Sequence, residues 1–152
     1  MKRLRHLVLV LGDQLAHDSP ALEAVDPACD HVLMIEARGE ATSVWSHKAR
    51  IAIFLSAMRH FAAELRERGL PLTYLALDAD AEPSLTGRLA ARLRALKPQV
   101  LRAVEPGDWR LQQAIEATAA AAGVPLQWLD DTHFLCSRAD FTRWAAGYRG
   151  SL

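Results

Sequence analysis

Two rhythms of apolar residues take turns along this chain. Leu7-Val8-Leu9-Val10-Leu11 is continuously apolar and partly β-branched, the pattern of a strand covered on both faces, and Gly12-Asp13-Gln14 breaks it. A second run, His31-Val32-Leu33-Met34-Ile35, ends at Glu36, and a polar loop through Gly39, Glu40 and Ser43 leads to a helical pattern beginning near His47. Ile51, Phe54, Leu55, Met58, Phe61 and Leu65 recur there at three- and four-residue spacing, which predicts one buried helix face. Gly69 and Pro71 end that helix, and residues 72–77 read as a third strand.

Ser84 suits the N-cap of a helix running to Leu96, with Leu85, Leu89, Leu93 and Leu96 on its buried face. Val100 to Val104 follows as a fourth strand with the polar end Glu105-Pro106-Gly107-Asp108-Trp109-Arg110. An alanine-rich helix from about Leu111 closes at Gly123, residues 125–129 form a fifth strand, and a short helix starts after Ser137. Strands alternating with helices predict an α/β fold: a Rossmann-like, doubly wound, mainly parallel five-stranded sheet with helices on both faces. The final residues, Tyr148 to Leu152, read as the start of a connection onward.

Length and composition narrow the picture. The 152 residues suffice for one domain, residues 1–152, and not for a nucleotide-binding domain plus a large helical one. Eighteen basic residues balance eighteen acidic ones, so the basic excess by which nucleic-acid binders release phosphate counterions is missing. Cys29 and Cys136 stand far apart, without metal-ligand or disulfide spacing, and read as reduced thiols. The basic opening has no cleavage pattern after its apolar run, and no apolar stretch approaches the roughly 20 residues that span a bilayer. A cytoplasmic protein without membrane contact is expected.

Ligands of open parallel sheets bind beyond the carboxyl ends of the strands, near the reversal of strand order. Three polar segments fall there: Gly12-Asp13-Gln14, Glu36 to Glu40, and Glu105 to Arg110. Together they suit a polar heteroaromatic ligand, with Asp13, Gln14 and Glu36 for its edge and Phe54 for its face. Each has a plainer reading: Asp13 as a cap, Glu36 as a solvated loop acid, Phe54 as core. His47, Lys48 and Arg50 suit an anion or a hydroxylated chain, or simply a solvated first helical turn.

Other chemistries lack their residues. One glycine, Gly12, stands where a phosphate-binding turn needs several. Asp78 or Asp80 suits a receiver-type acceptor, without its lysine. His60 has no metal partner at three or four residues' distance, and no Ser, Cys or His sits in a triad context. No catalytic residue and no metal site are expected.

Four stretches carry a resemblance. Leu9-Val10-Leu11-Gly12-Asp13-Gln14-Leu15, His47-Lys48 leading to Phe54-Leu55-Ser56-Ala57-Met58-Arg59-His60-Phe61, Glu105 to Arg110, and Phe134-Leu135-Cys136 through Phe141 to Gly147 resemble the bacterial photolyase-related proteins. Their order and spacing match that family's amino-terminal domain, with departures at Ser46-His47 and Ala49-Arg50. The resemblance implies a longer enzyme, a light-dependent (6-4) photolyase or related cryptochrome. FAD and a 4Fe-4S cluster belong to its carboxyl-terminal domain, which is absent from this chain and is its expected partner, and DNA is met only through the full-length protein.

The resemblance also implies an antenna chromophore, 6,7-dimethyl-8-ribityllumazine, in the present domain. The pocket residues it suggests are Gly12, Asp13, Gln14, Glu36, Lys48, Ile51, Phe54 and Glu105. Two other readings stay open: a stand-alone nucleotide- or flavin-binding module, and an interaction domain without a ligand.

Overall fold

A computed structural model describes residues 4–38, 47–78 and 81–148. Five strands, β1 (His6–Val10), β2 (Asp30–Ile35), β3 (Leu72–Leu75), β4 (Val100–Val104) and β5 (Leu126–Leu129), form one sheet in the order β3-β2-β1-β4-β5. Every neighbouring pair is parallel. The helices are α1 (Pro20–Glu23), α2 (Lys48–Glu67), α3 (Leu85–Leu96), α4 (Trp109–Ala121) and α5 (Arg138–Ala146). This is the doubly wound α/β arrangement that the alternating rhythms predict. The loop expected through Gly39, Glu40 and Ser43, Asp80, and the last residues from Arg149 lie outside the described residues.

Strand side chains alternate between the two faces, so the unbroken apolar runs split into two cores. Leu7, Leu9, Leu33 and Leu101 pack with Leu89 and Leu93 of α3 and Ile115 and Ala119 of α4. Val8, Val10, Val32 and Met34 pack with Leu22 of α1 and with Met58, Phe61, Ala62 and Leu65 of α2. Side-chain caps set the helix starts: Ser84 accepts from the Gly87 amide, Asp108 from Arg110 and Leu111, and Ser137 from Asp140. Gly69 and Gly123, at φ of +80° and +65°, supply the left-handed turns after α2 and α4.

The buried stripe of α2 is shorter than its periodicity implies. Burial begins at Met58; Phe54 remains 44% exposed and Ile53 71% exposed. Length explains the difference. The 20 residues of α2 extend about 30 Å, whereas strands of four to six residues extend no more than about 20 Å, so the helix overhangs the sheet. Because α2 runs from the carboxyl edge of β2 back to the start of β3, its first turns overhang the rim where ligands of this architecture bind. Smaller shifts occur at element ends: β3 stops at Leu75, and α4 starts at Trp109 because Asp108 caps it. The short α1, capped by Ser19 with Pro20 in its first turn, carries too few residues to show a period.

At the opposite pole, β2 begins with a buried carboxylate. Asp30 accepts two bonds from Arg5, at 2.9 and 2.6 Å, and further bonds from the amides of His6 and Asp26. Burial pushes its pKa up, but the Arg5 guanidinium and the Asp26 amide outweigh burial and hold it well below the ordinary range.

The division of α3 between core and solvent gives a direct check. Leu93→Ala is expected to cost about 2–5 kcal/mol of unfolding free energy in urea titrations, and Leu96→Ala at the exposed last turn less than about 0.5 kcal/mol. Equal losses would contradict the packing described.

Candidate functional site

The strand order reverses between β1 and β4, so their carboxyl ends bound the crevice in which ligands of such sheets sit. Gly12-Asp13-Gln14 follows β1 and Glu105 follows β4. Gln14, buried to 6% exposure, donates from Nε2 to the Glu105 carbonyl at 2.9 Å and more weakly to that of Val104 at 3.5 Å. Its carboxamide ties the two strand ends together. Asp13 is exposed beside it.

Gly12 and Phe54 meet. A Cβ at Gly12 would lie 2.7 Å from Cε1 and Cζ of Phe54 and 2.8 Å from the Met58 sulfur, so the aromatic ring rests on bare backbone. Any larger residue there would have to displace the Phe54 ring and the Met58 side chain, so the glycine serves close approach, not an unusual dihedral. The outer edge of the ring lies against the end of β1, and the side chain stays partly exposed.

Glu36 is the most constrained polar group of the rim, with a side chain at 0% exposure. Arg59 of α2 donates from Nε to Oε1 at 2.7 Å and from Nη2 to Oε2 at 3.0 Å. The Tyr74 hydroxyl of β3 donates to Oε1, and the Leu77 amide donates to Oε2 at 2.7 Å. Two oxygens offer about four acceptor sites, and all are used by the protein itself. Burial alone would raise the Glu36 pKa, yet the bonds from Arg59, Tyr74 and Leu77 hold it below the ordinary carboxylate range. Tyr74, buried and facing this carboxylate, is pushed well above the ordinary phenol range. Arg88 of α3 completes the corner, donating to the carbonyls of Glu36, Leu75 and Ala76 at 2.6, 3.3 and 2.9 Å.

The eight candidate residues therefore fall into separate groups. Gly12 meets Phe54, Gln14 meets Glu105, and Glu36 engages a third set of partners. Lys48 is exposed and Ile51 half-buried on the overhanging turns of α2. Sequence reasoning overlooked Arg59, Tyr74 and Arg88, which hold Glu36 and its corner. The available signal was Glu36 itself: an acid directly after the apolar run Val32 to Ile35, in a sheet covered on both faces, needs cationic and amide partners from neighbouring elements.

Arg138, the first residue of α5, reaches back to the β4 side of the rim. It donates from Nη2 to the Pro106 carbonyl at 2.6 Å, hydrogen-bonds the Gln112 side chain, and lies 3.5 Å from the Glu105 carboxylate. Gln112 bonds Glu116, which also accepts from the Trp128 indole. Among the described residues no group of three or more His, Cys, Asp or Glu is arranged to hold a metal ion. No described helix is long and apolar enough to cross a membrane.

Comparison with known proteins bears on these residues. The family described as deoxyribodipyrimidine photo-lyase-related protein matches residues 8–151. A (6-4) photolyase of Agrobacterium fabrum (strain C58) is 40% identical over 145 residues, 95% of this chain and 29% of the relative. The chain thus spans less than a third of that relative's length.

The Glu36 corner predicts a signed pH dependence. Its folded pKa is depressed, so the stability it contributes is present above the unfolded value, near 4.5, and is lost as pH falls through the lower folded value. Glu36→Gln is expected to be less stable than the parent by about 1–3 kcal/mol at pH 7 in urea titrations, the difference shrinking progressively below pH 4.5. A difference independent of pH would mean that the carboxylate charge contributes nothing.

Proposed function

This chain belongs to the deoxyribodipyrimidine photolyase-related family, and we propose that it is the antenna-binding α/β domain of a light-dependent (6-4) photoproduct repair enzyme or related cryptochrome. The ligand proposed is 6,7-dimethyl-8-ribityllumazine, at the carboxyl rim of the sheet. When bound, it supplies absorption of light and passage of the excitation to a flavin. The observation that carries the reading is the Phe54 ring, whose Cε1–Cζ edge lies against the bare Gly12 backbone while the side chain stays partly exposed, an aromatic surface against which a flat heteroaromatic ring can stack.

The remaining rim chemistry divides into support and contact. Glu36 and Gln14 are engaged by protein partners and keep the strand ends in place. Asp13 and Lys48, both exposed, are the groups proposed to meet the ligand's polar edge and its hydroxylated chain. Ile51 adds apolar surface one turn before Phe54, and Glu105 lines the far side of the crevice.

Catalysis is assigned to another part of a longer protein. A 4Fe-4S cluster takes four thiolates, and this chain has two cysteines. Repair of a flipped lesion is electron transfer from a flavin. FAD, the cluster and DNA contact are therefore proposed for the polypeptide that corresponds to the rest of the relative's length, and the charge balance of this chain agrees with that division.

A fluorescence titration of the purified chain with 6,7-dimethyl-8-ribityllumazine, with riboflavin as control, tests this reading. Saturable and lumazine-selective binding is expected, and Phe54→Ala should weaken it about tenfold by removing the stacking face. Equal affinity for riboflavin would favour a general flavin-binding module. Absence of binding would remove the antenna role from the chain by itself.

A further inference from the structure

The segment from Phe134 to Tyr148 has the composition of a packed element without the packing. No residue of α5 is buried. Phe141, Trp144 and Tyr148 recur at three- and four-residue spacing on one face of the helix and its extension, each 54–55% exposed. Their rings stack in sequence, with centroids 5.7 and 5.5 Å apart. Phe134 and Leu135, in the preceding turn, are 65% and 108% exposed. Five exposed large apolar side chains within fifteen residues, three of them in one stack, are a concentration of the kind that marks an interaction surface, and a nine-residue helix is marginal unless something packs on it.

We infer that this aromatic face is the seat on which the remainder of a photolyase-length polypeptide docks, and that Arg138 latches the seat to the ligand rim. The inference rests on the photolyase reading. Proportion identifies the occupant: the chain covers 29% of the (6-4) photolyase it matches, and α5 lies inside the matched residues 8–151. Seventy-one per cent of that relative therefore lies beyond the matched part, enough to cover a helix that the matched part leaves bare. The latch follows from geometry. Arg138 touches Gln112, the Pro106 carbonyl and Glu105, and the Glu105 carbonyl accepts from Gln14, so the seat and the crevice between β1 and β4 share one chain of polar contacts.

The test compares this chain alone with a chimera in which it replaces the matched stretch of the Agrobacterium fabrum photolyase. Backbone hydrogen exchange over residues 138–148 is expected to be fast in the chain alone and at least about tenfold slower in the chimera. The double substitution Phe141→Ser/Trp144→Ser should leave the melting temperature of the chain alone unchanged, since neither residue is buried, and should restore fast exchange in the chimera. Arg138→Ala should speed exchange of the α4 amino-terminal turn in the chain alone.

Equal exchange in chain and chimera would overturn the proposal. So would a chimera with the native face that fails to assemble, or a chain whose α5 is already protected in a dimer seen by sedimentation. The lumazine titration reads the rim of the chain alone. Failure of docking with lumazine binding retained, or the reverse, therefore separates this proposal from the reading on which it rests.

Discussion

A carboxylate buried at the end of a parallel sheet is tolerable only while donors saturate it, and at Glu36 the donors come from three places. Arg59 comes from α2, Tyr74 from β3, and the Leu77 amide from the chain just beyond β3. These bonds fix the height of α2 against the sheet, and with it the position of Phe54 over Gly12. Arg88 extends the same corner to α3 by donating to three carbonyls at the ends of β2 and β3, of which that of Leu75 also accepts from the Glu36 amide. The aromatic platform thus depends on an ion pair it does not touch. With Asp30 held by Arg5 at its start, β2 is clamped at both ends by buried acids, and of the residues between them His31 bonds Thr73 while Val32 to Ile35 pack into the two cores.

On the other side of the reversal point the same task falls to amides. Gln14 bridges the ends of β1 and β4, Gln112 links Arg138 to Glu116, and Trp128 closes that chain from β5. A neutral carboxamide loses less on desolvation than an ion does, which suits the buried position of Gln14 between the two strand ends. The rim is therefore asymmetric: beside β2 and β3 a buried carboxylate is saturated by an arginine, a tyrosine and an amide, whereas beside β4 carboxamides bridge the strand ends and Arg138, near Glu105, joins them to α5.

How far the sequence discloses this depends on the range of each interaction. The five strands, their order of appearance and the caps Ser84 and Ser137 are local, and period and turn chemistry reveal them. The extent of α2 burial is not local: the stripe from Ile51 to Leu65 has a uniform period, and only the shortness of the strands decides that its first turns project beyond the sheet. Glu36 reads equally well as a solvated acid or a ligand contact. Its structural role appears only when Arg59, 23 residues away, and Tyr74, 38 residues away, fold against it. The stretch from Phe134 to Gly147 is legible as family likeness, but the exposure of its aromatic residues is not, since a sequence gives a helix its apolar face without saying what covers it.

Saturation of the rim acids has a consequence for recognition. A ligand that sought Glu36 or the Gln14 amide nitrogen would have to break bonds already made inside the protein, exchanging one set of partners for another with little net gain. Affinity at this rim must come instead from stacking on Phe54 and from exposed groups such as Asp13 and Lys48, which water also solvates. Exposed polar contacts add little until something excludes water from them. A body docked on α5 would act beside the crevice, at the end of the Arg138 latch, where exclusion of water strengthens those contacts most. Tighter binding in a longer protein than in the chain alone would then arise from one set of residues, with no new contact to the ligand.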